Sequence, residues 1–336
     1  MKTGCLYIDG NDAYSTYGAF VVEGGWNSLV CMPPLKSVKC TVWQEYDGIE
    51  ADLSAPVLNT REVEIQFAFV GLYSRFLQMI ADLSDGAYHT FRCTEIGRTF
   101  KLRMTQQSAI GGVKQLETVT LKFADDFPML GYEYEAPVTS IAQSDRFMVD
   151  DVPLTSYGVN ILDGTMQNIR KSADVKEALL RNIATQSGAE YDSRSVRYKS
   201  KDVKLLCLLR ARSLDEMWRN YYAMLHDLIQ PEERTLYVSD IEDEFRFYYK
   251  SCTVQNFFPC DEKVWLEFSL TVCFTQDVRV DEDDMVLATE DRVVVWTEDS
   301  DSAVEVLPNR FYYPSLRMVS DNSIRFISNG AFRFNN

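Results

Sequence analysis

Polar and apolar residues alternate with a period of two through much of the chain. YHTFRCTEIGRTFKLRMTQQSAI (88–110) and RTLYVSDIEDEFRFYYKSCTVQNF (234–257) read as hairpins or meanders. LETVTLKFADDFP (116–128) and VWLEFSLTVCFTQD (264–277) read as half-buried strands rich in Val, Thr and aromatics. The period changes to a helical one twice. In GLYSRFLQMIADLSDG (71–86) it gathers Leu72, Phe76, Met79, Ile80 and Leu83 on one face. In SLDEMWRNYYAMLHDLIQP (213–231) it gathers Leu214, Met217, Trp218, Tyr221, Leu225 and Leu228. Ser213 and Glu216 form a capping-box pattern, and Pro231 marks the stop. Both apolar stripes predict packing onto a sheet.

The two series are one pattern written twice. Gly48, Glu50, Asp52 and Val63 recur as Gly188, Glu190, Asp192 and Val203, 140 residues later without a gap. Tyr17–Gly18 and Tyr157–Gly158 share that spacing, as do Lys36 and Lys176. LYIDGNDAYSTYG (6–18) matches FMVDDVPLTSYG (147–158) after one deletion. In the helices, Leu72, Phe76 and Leu83 pair with Leu214, Trp218 and Leu225 at one common offset. The expected organisation is a first β domain (1–129), a linker around Pro137 (130–146), a second β domain (147–277) and a distinct tail (278–336). The fold class is mainly β with one helix per repeat (α+β), each repeat a sandwich or barrel whose helix covers an open end or edge. In the tail, Asn329–Gly330 between SIRFIS and AFRFNN signals a hairpin, too small to bury a core alone.

Composition narrows the function. The 336 residues carry 50 acidic against 34 basic side chains, a net charge of −16, which argues against a general DNA-binding surface. The N-terminal MKTGCLYIDGNDAY predicts no signal peptide, and no apolar run is long enough for a membrane helix. The eight cysteines include no C-x-x-C pair, and several sit in apolar runs, as small buried hydrophobes of a reducing compartment do.

Candidate chemistry is sparse. His89 and His226 are the two histidines, and neither has a partner at metal-ligand spacing. Asp281-Glu282-Asp283-Asp284 lacks the spacing and central glycine of an EF-hand loop. Glu50 with Asp52, and Glu190 with Asp192, could serve a carboxylate hydrolase, but their duplication fits a structural motif better. The residue pattern therefore predicts no enzyme, no cofactor and no metal. A β-sandwich binding module for glycan or host receptor is the alternative, with Trp26, Trp43, Tyr312 and Tyr313 as platforms.

An opening strand segment (LYIDGNDAYSTYGAFV), further strands, one amphipathic helix and closing strands, found twice over residues 1–277, resemble the distal tail and tail-tube (tail hub) proteins of long-tailed bacteriophages. The resemblance rests on this layout, the repeated Tyr-Gly and Gly-x-Glu-x-Asp segments, and the SIRFISNGAFRF tail. It implies tandem tube-like domains that join sheets with neighbours in a ring. The self-assembly would be a trimer or a hexamer in the virion tail, put together in the host cytoplasm with other tail proteins. DNA would pass the acidic lumen without specific binding, and no membrane is involved. The polar loops Gly48–Arg61 and Gly188–Lys201 are the expected hairpins that reach a neighbour.

Overall fold

The computed structural model describes residues 3–276, apart from 72, 109, 114–115, 177–179, 186, 192–195 and 261–262, together with two strands of the tail. Residues Met1–Asp277 form one compact unit and Val278–Asn336 another. The fold is mainly β.

Residues up to Asp125 build β1 (Leu6–Ile8), β2 (Asn11–Asp12), α1 (Ala13–Tyr17), β3 (Ala19–Val21), α2 (Asn27–Val30), β4 (Cys40–Thr41), β5 (Glu50–Ala51), β6 (Arg61–Phe69), α3 (Tyr73–Leu83), β7 (Tyr88–Cys93), β8 (Arg98–Gln107), β9 (Gly111–Val113) and β10 (Leu116–Asp125). Their sheet runs β2-β1-β7-β8-β10-β6-β3, with β9 paired to β10. From Phe147 follow β11 (Phe147–Val149), β12 (Val152–Pro153), a 3-10 turn (Leu154–Tyr157), β13 (Val159–Ile161), α4 (Thr165–Arg170), β14 (Leu180–Asn182), β15 (Ala189–Tyr191), β16 (Lys201–Ala211), α5 (Leu214–Leu228), β17 (Arg234–Val238), β18 (Asp243–Cys260) and β19 (Lys263–Phe274). The second sheet runs β12-β11-β17-β18-β19-β16-β13, the same order strand for strand. Short helical turns accompany the main helix in each half, so one helix per repeat undercounts them.

Alternation along β6 explains its place in the sheet. Val63, Ile65 and Phe67 are buried, while Glu62, Glu64 and Gln66 face water. On β16, Val203, Leu205, Cys207 and Leu209 do the same. The helices lie on these inner faces. Phe76 of α3 stacks on Phe69 at 4.2 Å, and Tyr221 of α5 meets Phe268 edge-on at 5.3 Å. One large apolar core runs through both halves, and a smaller cluster gathers Leu53, Tyr248 and Cys273.

The repeat holds at the level of single bonds. Gly18 and Gly158 are both left-handed, at φ 71° and 74°. Each accepts an amide at 2.9 Å, Gly18 from Val70 just past β6 and Gly158 from Arg210 in β16. A side chain at Gly18 would overlap the Val70 carbonyl, so glycine is required. Tyr17 donates to Asp82 at 3.1 Å and Tyr157 to Asp227 at 2.6 Å. The helices therefore correspond at an offset of 145 residues, Asp82 with Asp227, and not at the 142 that pairs Phe76 with Trp218. The hairpins agree, since Phe91 opposite Phe100 becomes Leu236 opposite Phe245. Helix α5 simply begins earlier than α3, which displaced the apolar pattern by a turn. Ser213 caps α5 by accepting the Glu216 amide at 3.2 Å, but the Glu216 carboxylate reaches the Arg212 amide instead of closing the box.

Residues 130–146 are no free linker. Val138 exchanges two hydrogen bonds with Asn220 of α5, and Arg219 pairs with Glu135 at 2.8 Å. The tail contributes β20 (Ser315–Met318) paired with β21 (Ile324–Ile327). Asn329–Gly330, the 281–284 acidic run and Tyr312–Tyr313 lie outside the described residues.

The Tyr157 bond is shorter and better buried than its Tyr17 counterpart. Tyr157→Phe should therefore cost about 1.5–3 kcal/mol in urea unfolding, and Tyr17→Phe under about 1 kcal/mol. Equal costs would contradict the ranking.

Candidate assembly interface

The most elaborate polar arrangement among the described residues is the joint between the two halves. It starts from a hairpin. Strands β4 and β5 pair Cys40 with Ala51 and Thr41 with Glu50. The hairpin thus spans Cys40–Ala51 and shares only Gly48–Ala51 with the polar loop Gly48–Arg61 expected to form it. Its second-half copy, β14–β15, pairs Leu180 with Tyr191 and Arg181 with Glu190.

The tip of the first hairpin docks on the second half. Lys176 is 4% exposed, and its ammonium donates to the carbonyls of Trp43, Tyr46 and Gly48 at 2.6–2.7 Å. Burial pushes its pKa down, against the nearby charges of Asp47 and Glu45. Gly48 donates to the Tyr198 carbonyl at 2.8 Å, and the Asp47 carboxylate accepts the Tyr198 amide at 2.7 Å. Ile49 donates to the Thr275 carbonyl. Arg197 donates to the Glu45 carbonyl at 2.7 Å. At Gly48 (φ 73°) a Cβ would overlap that Thr275 carbonyl, so the hairpin seats only because the residue is glycine.

Next to the hairpin, the loop after α2 runs along β18. Strand β17 pairs only with Asp243–Phe247, which leaves the rest of that β18 edge to the loop. The Leu35 amide donates to the carbonyl of Lys250 at 2.9 Å, the Cys31 thiol to that of Cys252, and the Asn27 side-chain Nδ2 to that of Gln255. Lys250 is the extra residue of a bulge in β18. On the far side, Trp218 donates its indole N–H to the Ile96 carbonyl at 2.7 Å.

The remaining sequence candidates fall elsewhere. Val63 and Val203 are core residues. Glu50 accepts the Trp43 indole N–H at 2.9 Å, and Asp52 accepts from Ser54, which holds its carboxyl below the usual range. Both line an open groove of about 800 Å³ with Lys39, Leu53, Glu232 and Arg246. Asp192 lies outside the described residues, and Glu190 is placed only by its backbone in β15. Trp26 is buried, and Trp43 is half exposed. Cys93, Cys207, Cys252 and Cys273 are buried as expected, whereas Cys260 is exposed. Among the described residues no cluster of His, Cys, Asp and Glu could hold a metal, and no helix is long and apolar enough to cross a membrane.

His89 sits between Asp9 at 2.6 Å and Asp85 at 3.1 Å. Its counterpart is Arg234, which pairs with Asp150 at 2.8 Å, so one half uses a titratable cation where the other uses a permanent one. Burial opposes the His89 charge, yet the hydrogen bonds of both carboxylates outweigh it and raise the pKa.

No protein-family model and no curated protein matches the chain. Among solved structures it is similar to the SPP1 Dit protein (gp 19.1), described as a paradigm of the hub adsorption apparatus in phages infecting Gram-positive bacteria. The identity is 13%, the match covers 80% of this chain and 98% of that one, and the TM-score is 0.29. A likeness of that size leaves function to be argued from the geometry of the chain itself.

Two expectations follow. In single chains, below the concentration at which they assemble, Gly48→Ala should lower the thermal midpoint clearly more than Gly188→Ala, which meets open space and carries only the left-handed penalty of about 1 kcal/mol; equal losses there would contradict the docking role. A His89 pKa above its unfolded value of about 6.5 means stability is full below that pH and falls as pH rises through the folded pKa. Urea midpoints measured from pH 5 to 9 should lose this component in His89→Asn.

Proposed function

We propose that the chain is a structural protein of a bacteriophage tail that assembles into a ring around a DNA-conducting channel, in the role of distal tail, hub or tube component. The observation that carries this reading is the joint: two copies of one sheet-plus-helix domain, in the same strand order, meet through different surfaces. The first copy contributes Asn27–Ala51 and the second contributes Lys176, Arg197–Tyr198, β18 and Thr275. A contact of that kind is heterologous, and heterologous contacts propagate into rings when the rotation closes. On this reading a chain that already holds one such joint would be a third of a six-domain ring, and a six-chain ring is the alternative.

On this reading residues 1–129 and 147–277 act as two tube-like domains, and the segment 130–146 leads from the first onto α5 of the second. The partners are other copies of the chain and the neighbouring tail proteins, within the virion. The net charge of −16 suits a wall past which polyphosphate moves without being held. The SPP1 Dit protein belongs to the same kind of apparatus, which makes the hub the first place to look.

Negative-stain imaging of purified chain should show closed rings of three chains with six lobes around a pore. Compact single chains at every concentration would overturn the proposal.

A further inference from the structure

Each surface used in the joint has a copy that the joint does not use. On the first half, Lys36 is the counterpart of Lys176, Leu58 of Tyr198, and Val57 of Arg197. The backbone agrees, for Leu35 bridges Leu58 as Val175 bridges Tyr198. Lys36 donates its amide to Val57 as Lys176 does to Arg197. Strand β8 carries a bulge at Thr105, the counterpart of the Lys250 bulge in β18. Like β18, it outruns its neighbour, since β7 pairs only with Arg98–Arg103. The first half therefore owns a receiving face of the same backbone form, with Val57 in place of the Arg197 guanidinium.

The second half owns the matching donor face. Its β14–β15 hairpin has the register of β4–β5. Gly188 has φ 88° against 73° for Gly48, yet nothing lies within 4 Å of where its Cβ would be. Val175, the counterpart of the packed Leu35, is 42% exposed, and Val57 on the receiving face is 53% exposed. Among the described residues the Lys36 ammonium, the Leu58 peptide group, the Val175 amide and Gly188 have no partner.

We infer that the β14–β15 hairpin of one chain docks on the Lys36–Leu58–Thr105 face of a second copy, repeating between chains the joint seen within one. In that contact the Gly188 amide meets the Leu58 carbonyl, and the Ser187 hydroxyl faces the Leu58 amide where Asp47 caps Tyr198. The Lys36 ammonium takes the carbonyls of Ile183 and Gly188, and the Val175 amide meets the Thr105 carbonyl. Most of these contacts use the backbone, so Ile183 can stand where Trp43 does in the first hairpin. Charge complementarity is local: the receiving face brings one ammonium and the tip brings carbonyls. The inference deepens the ring reading, but only the number of chains at closure rests on it.

The test uses full chains in a Cys260→Ser background. One preparation carries Val57→Cys and another Thr185→Cys, the counterpart of Glu45 beside Arg197. Mixed and treated with a short bismaleimide, they should give a covalent product of two chains that neither gives alone. Adding Gly188→Ala to the Thr185→Cys chain, or Lys36→Ala to the other, should lower that product at least about tenfold, with thermal unfolding showing both still folded. No product while light scattering shows assemblies of several chains would overturn this interface and leave the ring standing. Product formation with open filaments in place of rings would uphold the interface and overturn the ring. Single chains at the highest soluble concentration, with no product, would overturn both.

Discussion

The joint between the halves depends on one buried ammonium. Lys176 gives its three protons to three carbonyls at the tip of a hairpin that lies about 130 residues earlier in the chain. A charge taken out of water is costly unless its donors are all matched, and here they are. Asp47 and Glu45 supply compensating charge close by. Because the acceptors are carbonyls, the arrangement selects a backbone shape and not particular side chains. The hairpin must present Trp43, Tyr46 and Gly48 to one point, and Gly48 must come close enough for its amide to reach Tyr198. The loop along β18 adds its own bonds beside the tip, from Leu35 to Lys250, Cys31 to Cys252 and Asn27 to Gln255.

Such a joint tolerates drift elsewhere. The two halves share few identities, yet they keep the same strand order and the same special backbone positions. Asp9 and Asp150 stand at φ 48° and 47°, each accepting the amide of a strand residue, Thr90 and Thr235. Around that fixed carboxylate, His89 in one half and Arg234 in the other supply the cation. The Tyr-Gly pair ties the entry turn both to the C-terminal end of β6 or β16 and to the helix, which explains why these two residues persist at a constant interval. What is kept is the hydrogen bonding that holds the chain in left-handed or bulged conformations; what varies is the apolar filling.

Much of the fold is legible in the sequence. Period-two alternation located the main strands, and the stripes at Phe76 and Tyr221 located both helices. The even spacing of Tyr17, Gly48 and Lys36 with their copies exposed the duplication. The helix pairing slipped because amphipathic stripes repeat every turn, and only the Tyr17–Asp82 and Tyr157–Asp227 bonds, made between distant segments, fix the register. The strand pairs Cys40–Thr41 and Glu50–Ala51 are too short to alternate visibly, so the hairpin was placed too late in the chain. Lys36 and Lys176 share an interval, but that one is exposed and the other buried follows from which half lies opposite, and no local pattern encodes that.

The central claim is that one interface serves both within and between chains. A cryo-electron reconstruction of the assembled chain, refined with threefold symmetry only, tests it most directly. The account predicts that the rotation carrying the first half onto the second equals the rotation carrying the second half onto the first half of the next chain, each about 60°, with Lys36 beneath the neighbour's β14–β15 hairpin. Two unequal rotations, or a two-fold contact in which the same surface meets itself, would contradict it.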